Sequence, residues 1–200
     1  MILKYFISLN ANYRKFRKLI KKFSESDKKD VVEAFEFAKK WHGKQMRDED
    51  VPYIIHPVRV ANILMEELNY YDPDVIISAL LHDVVEDTSI KVKDIGDRYG
   101  REVRRLVIGL TRIKSRETKY AKFKKTAKAD YRTRVLKCAD VLDNIRSWPL
   151  STKKYKYTRW FKEVRDLYLP LAQNTDKHLC DEMKKLINSK KYKDLLVKFK

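Results

Sequence analysis

The sequence is poor in cysteine, glycine and proline. Its 200 residues include two cysteines, four glycines and five prolines. Cys138 and Cys180 are too few for a disulfide framework, which favours a reducing compartment and predicts a cytoplasmic protein. The scarcity of glycine and proline argues against a β-rich chain and against long flexible linkers.

Long apolar runs are also missing. No stretch approaches the roughly 18 consecutive apolar residues that indicate a membrane-spanning helix, so we predict no membrane association of that kind. The first ten residues are interrupted by Lys4 and contain no small-residue cleavage site. These features exclude a secretory signal peptide and, with it, the secreted class.

Acidic residues are outnumbered by basic ones. The chain has 46 Lys and Arg against 28 Asp and Glu, a formal charge of +18 and a sequence pI of about 9.7. Basic residues are concentrated in three segments, at 1–24, 112–128 and 184–200. A field of this sign favours anionic partners. Two interpretations stay open: solvated helix faces, or a weak contact with RNA or the ribosome.

Apolar residues recur at helical spacing along the whole chain. This pattern predicts an all-α fold: a single-domain helical bundle with a basic N-terminal helix at 1–28 and the main domain at 29–200. Helices are predicted to about His42, from His56, over 75–85, from near Ser89 and Gly100, and over 130–147, 152–173 and 176–197. The segment 112–128 has few core residues and is predicted to be a mobile basic segment or a frayed helix.

Three of the four histidines fall within forty-one residues, at His42, His56 and His82. His82 begins the string His82-Asp-Val-Val-Glu-Asp87 beside a strongly apolar segment, where charged groups are costly unless they are paired or bind a metal. On a continuous helix, Asp83 would point about 100° away from His82. Convergence of both on one metal would then need ligands from other helices.

Candidates for those ligands are His56 and Asp140. Asp140 shares one helix stripe with Asn144 and Ser147, at spacings of four and three. Taken alone, this stripe fits a solvated face, and an isolated His56 or His42 fits a helix cap or a hydrogen-bonded core histidine. Combined with the His-Asp-x-x-Glu-Asp string, the same residues indicate a metal-dependent catalytic site.

In this combination the sequence resembles the hydrolase domain of the RelA/SpoT alarmone family, part of the HD phosphohydrolase superfamily. The matching motifs are His56-Pro57, His82-Asp83, Glu86-Asp87 and Asp140-x-x-x-Asn144, preceded by Trp41-His-Gly-Lys-Gln-Met-Arg47. The resemblance covers about residues 30–172. It implies an HD-type fold and hydrolysis of the 3′-diphosphate of guanosine tetra- or pentaphosphate, (p)ppGpp, which releases pyrophosphate and GDP or GTP.

The resemblance also implies a role for each matching residue. The metal ligands would be His56, His82, Asp83 and Asp140, and this mixed nitrogen and oxygen set suits one Mn²⁺. Glu86 and Asp87 would be the catalytic acid and base that serve the attacking water and the leaving group. The substrate contacts would be Arg47, stacked on guanine, together with Tyr53, Asn144 and Ser147.

Some positions depart from the family pattern. Asp48, Glu49 and Asp50 follow Arg47 where the family often has basic or small residues, and Asp143 lies where a histidine is common. Three acids beside a nucleotide site are expected to repel phosphate unless they point outward. With about 28 residues after position 172, the family's synthetase and regulatory domains are not expected, which favours a stand-alone hydrolase.

Two other functions stay open at this stage. The same metal centre could act on another nucleotide phosphate, such as the 2′-phosphate of NADPH, as the acidic Asp48–Asp50 loop suggests. Alternatively, the basic charge fits a protein that binds alarmone or RNA without hydrolysing it.

Overall fold

The computed structural model describes residues 8–112 and 117–197. Within these ranges the chain forms α-helices without any β-strand, in agreement with the all-α prediction. In chain order the helices are α1 Leu9–Leu19, α2 Glu25–His42, α3 Ile55–Asn62, α4 Pro73–Leu81, α5 Val84–Asp87, α6 Val92–Leu110, α7 Lys119–Ala127, α8 Tyr131–Ser147, α9 Tyr157–Glu163, α10 Leu169–Gln173, α11 Lys177–Asn188 and α12 Lys190–Val197. No helix in these ranges has the length and apolarity needed to cross a membrane.

Polar side chains set the starts of the main helices. Ser24 accepts the Asp27 N–H ahead of α2, Asp72 accepts the Val75 N–H ahead of α4, and Asp130 accepts the Thr133 N–H ahead of α8. Each of these bonds satisfies one of the free backbone donors of a first helical turn, which stabilises the helix by about 1 kcal/mol.

Helices α3, α4 and α8 cross in the middle of one continuous apolar core. α4 is buried along nearly its whole length, because the run Val75–Leu81 is apolar on every face apart from Ser78. It packs between α2, α3 and α6, whereas α1 packs on α3, and Phe16 of α1 contacts Phe35 of α2. This arrangement fixes the C-terminal end of α4 against α3 and α8, where the functional side chains lie.

The basic segment that the sequence analysis left mobile or frayed is partly an ordered helix. Thr118 caps α7, and Lys122, which is 7% exposed, donates through Nζ to the carbonyl oxygens of Ile108 and Gly109 at the end of α6. The prediction overlooked that a lysine stem buries apolar surface while its ammonium group binds the last carbonyls of a helix. Residues 113–116 of that segment lie outside the described ranges. The division of the chain after residue 28 stays a prediction.

Helix α6 changes direction at Gly100, near one of the two helix starts predicted for this region. Gly100 has φ 87° and ψ 174°, and an added Cβ would meet no heavy atom within 4 Å. Glycine is therefore required here by the backbone conformation, not by space.

Gly100→Ala is expected to lower the free energy of unfolding by about 1 kcal/mol or more, because alanine is strained at this positive φ. Chemical denaturation checks this. Arg101→Ala, at an exposed neighbouring helical position, serves as the control and should change stability by less than about 0.5 kcal/mol. Equal stability of Gly100→Ala and the parent would contradict the backbone explanation.

Candidate active site

Four predicted metal ligands meet where α3, α8 and the end of α4 come together. His56 Nε2 lies 3.1 Å from Asp140 Oδ1 and 3.7 Å from Asp83 Oδ2. His82 Nε2 lies 3.1 Å from Asp83 Oδ2 and 3.9 Å from Asp140 Oδ1. Ligand atoms of His56, His82 and Asp83 all fall within 4.8 Å of one another. The arrangement therefore concentrates two imidazole nitrogens and two carboxylate oxygens in one small volume.

His82 and Asp83 converge although they are neighbours in sequence. α4 ends at Leu81, and α5 begins at Val84, so the continuous helix predicted over 75–85 is interrupted at these two residues. Both residues keep right-handed helical backbone angles, with φ −59° and ψ −31° at His82 and φ −98° and ψ −11° at Asp83. His82 Nε2 and Asp83 Oδ2 nevertheless lie 3.1 Å apart.

The imidazole rings are oriented to offer nitrogen lone pairs to a metal. His82 Nδ1 lies 2.8 Å from the Ala79 carbonyl oxygen, so it carries the proton and donates it there. The opposite nitrogen, Nε2, is buried without a hydrogen-bond partner. His56 Nδ1 lies 2.6 Å from Asp143 Oδ2, the contact by which carboxylates orient metal-binding histidines. These donors fit a divalent ion.

The charges at the centre also fit a cation. Burial opposes the charged form of His82, but Asp83, Asp140 and the Ala79 carbonyl outweigh it and raise the pKa of His82 to about 9. Burial raises the pKa of Asp83 and Asp140, whereas the histidines and, for Asp140, Lys137 lower it by more, so both acids are ionised. In the metal-free protein, the proton on His82 thus supplies the positive charge that a bound cation would supply.

Tyr53 joins a metal ligand to a predicted catalytic carboxylate. Its hydroxyl lies 2.7 Å from Asp83 Oδ2 and 2.9 Å from Asp87 Oδ2. Burial and these two carboxylates raise the pKa of Tyr53. The hydroxyl therefore stays protonated and donates to one carboxylate at a time. His42 stacks on the Tyr53 ring at 4.5 Å, so the role that fits His42 is support of Tyr53.

Glu86 is held from the other side of the site. Its Oε2 accepts the backbone N–H of Arg112 at 2.9 Å, just after the end of α6. Gln45 Nε2 donates to the Asp87 carbonyl oxygen at 2.7 Å, which fixes the end of α5. Both predicted catalytic carboxylates are thus positioned by neighbouring segments that meet at the site.

A pocket of about 350 Å³ opens beside this centre. Three of the four predicted substrate-contact residues, Arg47, Tyr53 and Asn144, line it with side chains that contact one another. The Arg47 guanidinium lies over the Tyr53 ring, and Arg47 Nη2 donates to Asn144 Oδ1 at 2.8 Å. Ser147 lines the pocket as well, but its hydroxyl donates to the Asn144 carbonyl oxygen. The remaining wall includes the aromatic rings of Trp148, Trp160 and Tyr168 together with Met46, Lys137 and Glu163. This composition suits a flat, partly charged ligand.

Two of the three acids after Arg47 are paired with basic residues, and the third, Asp50, is exposed. Asp48 lies 2.6 Å from Lys153 Nζ and 2.7 Å from Lys156 Nζ. Glu49, which is 9% exposed, points inward, with Oε1 3.1 Å from Arg59 Nη2 and 3.4 Å from Arg47 Nε. For Asp48 and Glu49, the expectation that the acids must point outward to tolerate phosphate therefore overlooked another arrangement, in which lysine and arginine offset their charge.

Glu49 belongs to a buried chain of charged groups with Arg59 at its middle. Arg59 donates to both oxygens of Asp143, at 2.8 and 3.0 Å, and Asp143 in turn accepts from His56. We call this connected set, Arg47–Glu49–Arg59–Asp143–His56, the ion chain. Sequence reasoning missed Arg59 and assigned no role to Glu49 or Asp143. For Arg59 and Asp143, a charged position among apolar residues of the helices that carry His56 and Asp140 was the available signal, whereas Glu49 stands between two acids and gave none.

The fold and the site define an all-helical domain with a candidate divalent-metal centre beside a pocket. A family described as "HD domain" matches residues 34–176, so the chain belongs to the HD-domain family. Within that family it belongs to the RelA/SpoT type, as its relatives show.

Two curated relatives and one solved structure illustrate this. The chain is 40% identical over 150 residues to a guanosine-3′,5′-bis(diphosphate) 3′-pyrophosphohydrolase of Aquifex aeolicus, covering 72% of this chain and 21% of that protein. It is 35% identical over 147 residues to a protein of the same name in Drosophila melanogaster, covering 71% and 80%. The structure, titled as a metazoan SpoT orthologue that hydrolyses ppGpp, matches with TM-score 0.65 and 32% identity over 79% of this chain and 93% of that one.

The relatives differ greatly in length. The chain spans only 21% and 25% of two of the curated proteins it matches, from Aquifex aeolicus and Mycoplasma pneumoniae. The match therefore concerns one domain of those longer proteins.

Proposed function

We propose that this protein hydrolyses (p)ppGpp at its 3′-diphosphate and releases pyrophosphate and GDP or GTP. The observation that carries the proposal is the convergence of His56, His82, Asp83 and Asp140 beside a pocket that contains Arg47 and Asn144. The names of the relatives supply the substrate class.

In the proposed reaction, a water oxygen bonds to the phosphorus attached to the ribose O3′, and the bond from that phosphorus to O3′ breaks. The water proton passes to Glu86 or Asp87, and the departing O3′ receives a proton from the same pair. Tyr53 holds Asp87 in place through its hydroxyl. Arg47 presents a flat guanidinium group that suits stacking on guanine. Asn144 is assigned to contact with the ribose.

A divalent metal held by His56, His82, Asp83 and Asp140 would lower the pKa of the attacking water and neutralise phosphate charge. We propose Mn²⁺, since hard carboxylate oxygens and imidazoles make up the site and both cysteines are buried elsewhere. A cytoplasmic location, where those thiols stay reduced, belongs to the same proposal.

The test is pyrophosphate release from ppGpp by purified protein, with Mn²⁺ and after chelation. Metal-dependent release with GDP as the co-product is expected. If the protein instead releases inorganic phosphate from NADPH and leaves ppGpp intact, NADPH replaces ppGpp as the proposed substrate. Binding of ppGpp without turnover in the metal-loaded protein would instead favour a non-hydrolysing binding protein.

Metal binding is expected to depend on pH because the proton on His82 competes with the ion. With a pKa of about 9, His82 is protonated at pH 7, so the apparent affinity for Mn²⁺ should rise up to about tenfold per pH unit and level off above pH 9. In the metal-free protein, the raised pKa stabilises the fold below about pH 6.5, and this contribution is lost as the pH rises through 9.

Isothermal titration calorimetry at several pH values measures the metal affinity, and repeating it in buffers of different ionisation enthalpy counts the released proton. Glu86→Gln, which leaves the proposed ligands in place, should show the same pH profile. An affinity that is flat from pH 7 to 9 would contradict competition at His82.

A further inference from the structure

We propose that the ion chain couples the nucleotide pocket to the metal site, so that a nucleoside bound at Arg47 tightens metal binding at His56. This inference rests on the proposed function, because it places the nucleotide at Arg47. It assigns roles to Glu49, Arg59 and Asp143, none of which is a proposed ligand or catalytic group.

The ion chain is continuous and shielded from water. Side chains of Glu49, Arg59, Asp143 and His56 are 1 to 3% exposed, and Arg47 is 12% exposed at the pocket end. Charges buried in this way are screened much less than charges at the surface. A change at one end therefore reaches the other end mainly through these hydrogen bonds.

The weakest link lies at the pocket. Arg47 Nε is 3.4 Å from Glu49 Oε1, whereas the contacts further along the chain are 2.6 to 3.1 Å. A nucleoside that contacts the Arg47 guanidinium competes with this long contact. Within the ion chain, Glu49 then bonds Arg59 alone. Arg59 then draws less on Asp143, which accepts more fully from His56 Nδ1.

A stronger hydrogen bond from His56 Nδ1 to a carboxylate makes Nε2 a better metal donor. The coupling is therefore expected to be positive. A second route runs in the same direction, since Arg47 Nη2 also holds Asn144 Oδ1, and Asn144 Nδ2 donates to Asp140 Oδ1 at 2.6 Å. Arg47 is thus connected to two of the four proposed ligands. It reaches Asp140 through Asn144, and it reaches His56 through the other members of the ion chain.

The probe is guanosine, because it has no phosphate that could bind the metal directly. Mn²⁺ affinity is measured by calorimetry with and without saturating guanosine, and guanosine affinity with and without Mn²⁺. Both ratios should be equal, about fivefold or more. In Glu49→Gln the ratio should fall to one. Asp48→Asn is the matched control, since this neighbouring acid bonds Lys153 and Lys156 and should leave the ratio unchanged.

Arg47→Lys is a second variant at a more exposed position, and it keeps the charge without the fork that reaches both Glu49 and Asn144. It should also lose the coupling. A ratio of one in the parent protein, or an unchanged ratio in Glu49→Gln and Arg47→Lys, would overturn the coupling even if ppGpp is hydrolysed. If guanosine and Mn²⁺ show the expected affinity ratio but ppGpp is not hydrolysed, the proposed substrate is wrong and the coupling still holds.

A different observation carries a second proposal. Five cations, Arg14, Arg17, Lys18, Lys21 and Lys28, line a groove of about 400 Å³ between α1 and α2, and residues 8–112 and 117–197 place no acid in its wall. Arg14, Arg17, Lys18 and Lys21 are exposed, and the described part of the chain offers none of them an ion pair. We infer that this basic groove binds the phosphate backbone of double-stranded RNA.

The groove favours a nucleic-acid duplex over other polyanions. Its only apolar wall residues are Ile20, which is buried, and Val32, which is 37% exposed, so it lacks the large apolar anchors of membrane-binding helices. The two aromatic residues of α1, Tyr13 and Phe16, pack on Phe35 with ring centroids at 4.5 and 5.8 Å and are not presented for stacking on single-stranded bases.

The test measures binding of a duplex RNA of about 20 base pairs as a function of salt. Replacing Arg14, Arg17, Lys18 and Lys21 with Gln should reduce the slope of log affinity against log salt by about 3 to 4. The control removes the same charge from Lys184, Lys190, Lys191 and Lys193, which are exposed on α11 and α12, and should keep the slope. Equal losses in both variants, or binding to phosphatidylserine vesicles but not to RNA, would overturn the proposal.

Discussion

His82→Ala is expected to abolish tight metal binding and to reduce ppGpp turnover by about a thousandfold or more. His82 offers a buried ring nitrogen that lacks a hydrogen-bond partner and lies 3.1 Å from Asp83 and 3.9 Å from Asp140. Without it, three ligands remain, and the attacking water loses most of the pKa reduction that a bound metal supplies.

Calorimetry with Mn²⁺ and a pyrophosphate-release assay measure the two losses separately. His178→Ala is a matched control, because His178 is 46% exposed and bonds Glu67 on the surface. That variant should keep both properties. Full turnover in His82→Ala would show that the ligand assignment is wrong, and the same holds for Asp83→Ala.

Glu86→Gln is expected to keep the metal and to lose most of the rate, by a factor of about 10² to 10⁴. The amide oxygen of glutamine still accepts the Arg112 N–H that bonds Glu86 at 2.9 Å, so the local structure should hold. The amide cannot take a proton from water. This variant therefore tests proton transfer by Glu86 separately from metal binding.

The measurement compares kcat, KM and Mn²⁺ affinity in the parent and the variant. Glu66→Gln, a surface carboxylate that pairs with Lys15, serves as the control and should leave kcat unchanged. If Glu86→Gln retains the parent rate, the proton transfer must be assigned to Asp87 alone. If it loses the metal, Glu86 belongs to the ligand set.

The fold class was predictable because helical periodicity is a local property. Helix starts at Ser24, Asp72 and Asp130 follow from residues that cap helices, and the scarcity of glycine made the bend at Gly100 conspicuous. Errors arose where tertiary contacts override local pattern. The buried Lys122 binds the end of α6, and α4 stops at Leu81 although the apolar pattern continues to Val85.

The residues that converge at the candidate site were predictable from the sequence, but their electrostatics were not, and the roles assigned to them stay predictions. His56, His82, Asp83 and Asp140 are recognisable together because polar residues in apolar surroundings need partners. The supporting charges were not, since Glu49, Arg59 and Asp143 are far apart in sequence and each fits a solvated surface when considered alone. Only their distances show that they form one buried network.

The sequence by itself determined the all-α class, the motif residues and the excess of positive charge, because these depend on composition and on spacing along one helix. The tertiary structure decided which carboxylates face cations, that His82 and Asp83 converge, and how Arg47 connects to His56. Those properties depend on pairs of groups that the fold brings within about 3 Å, and a linear pattern does not contain that distance.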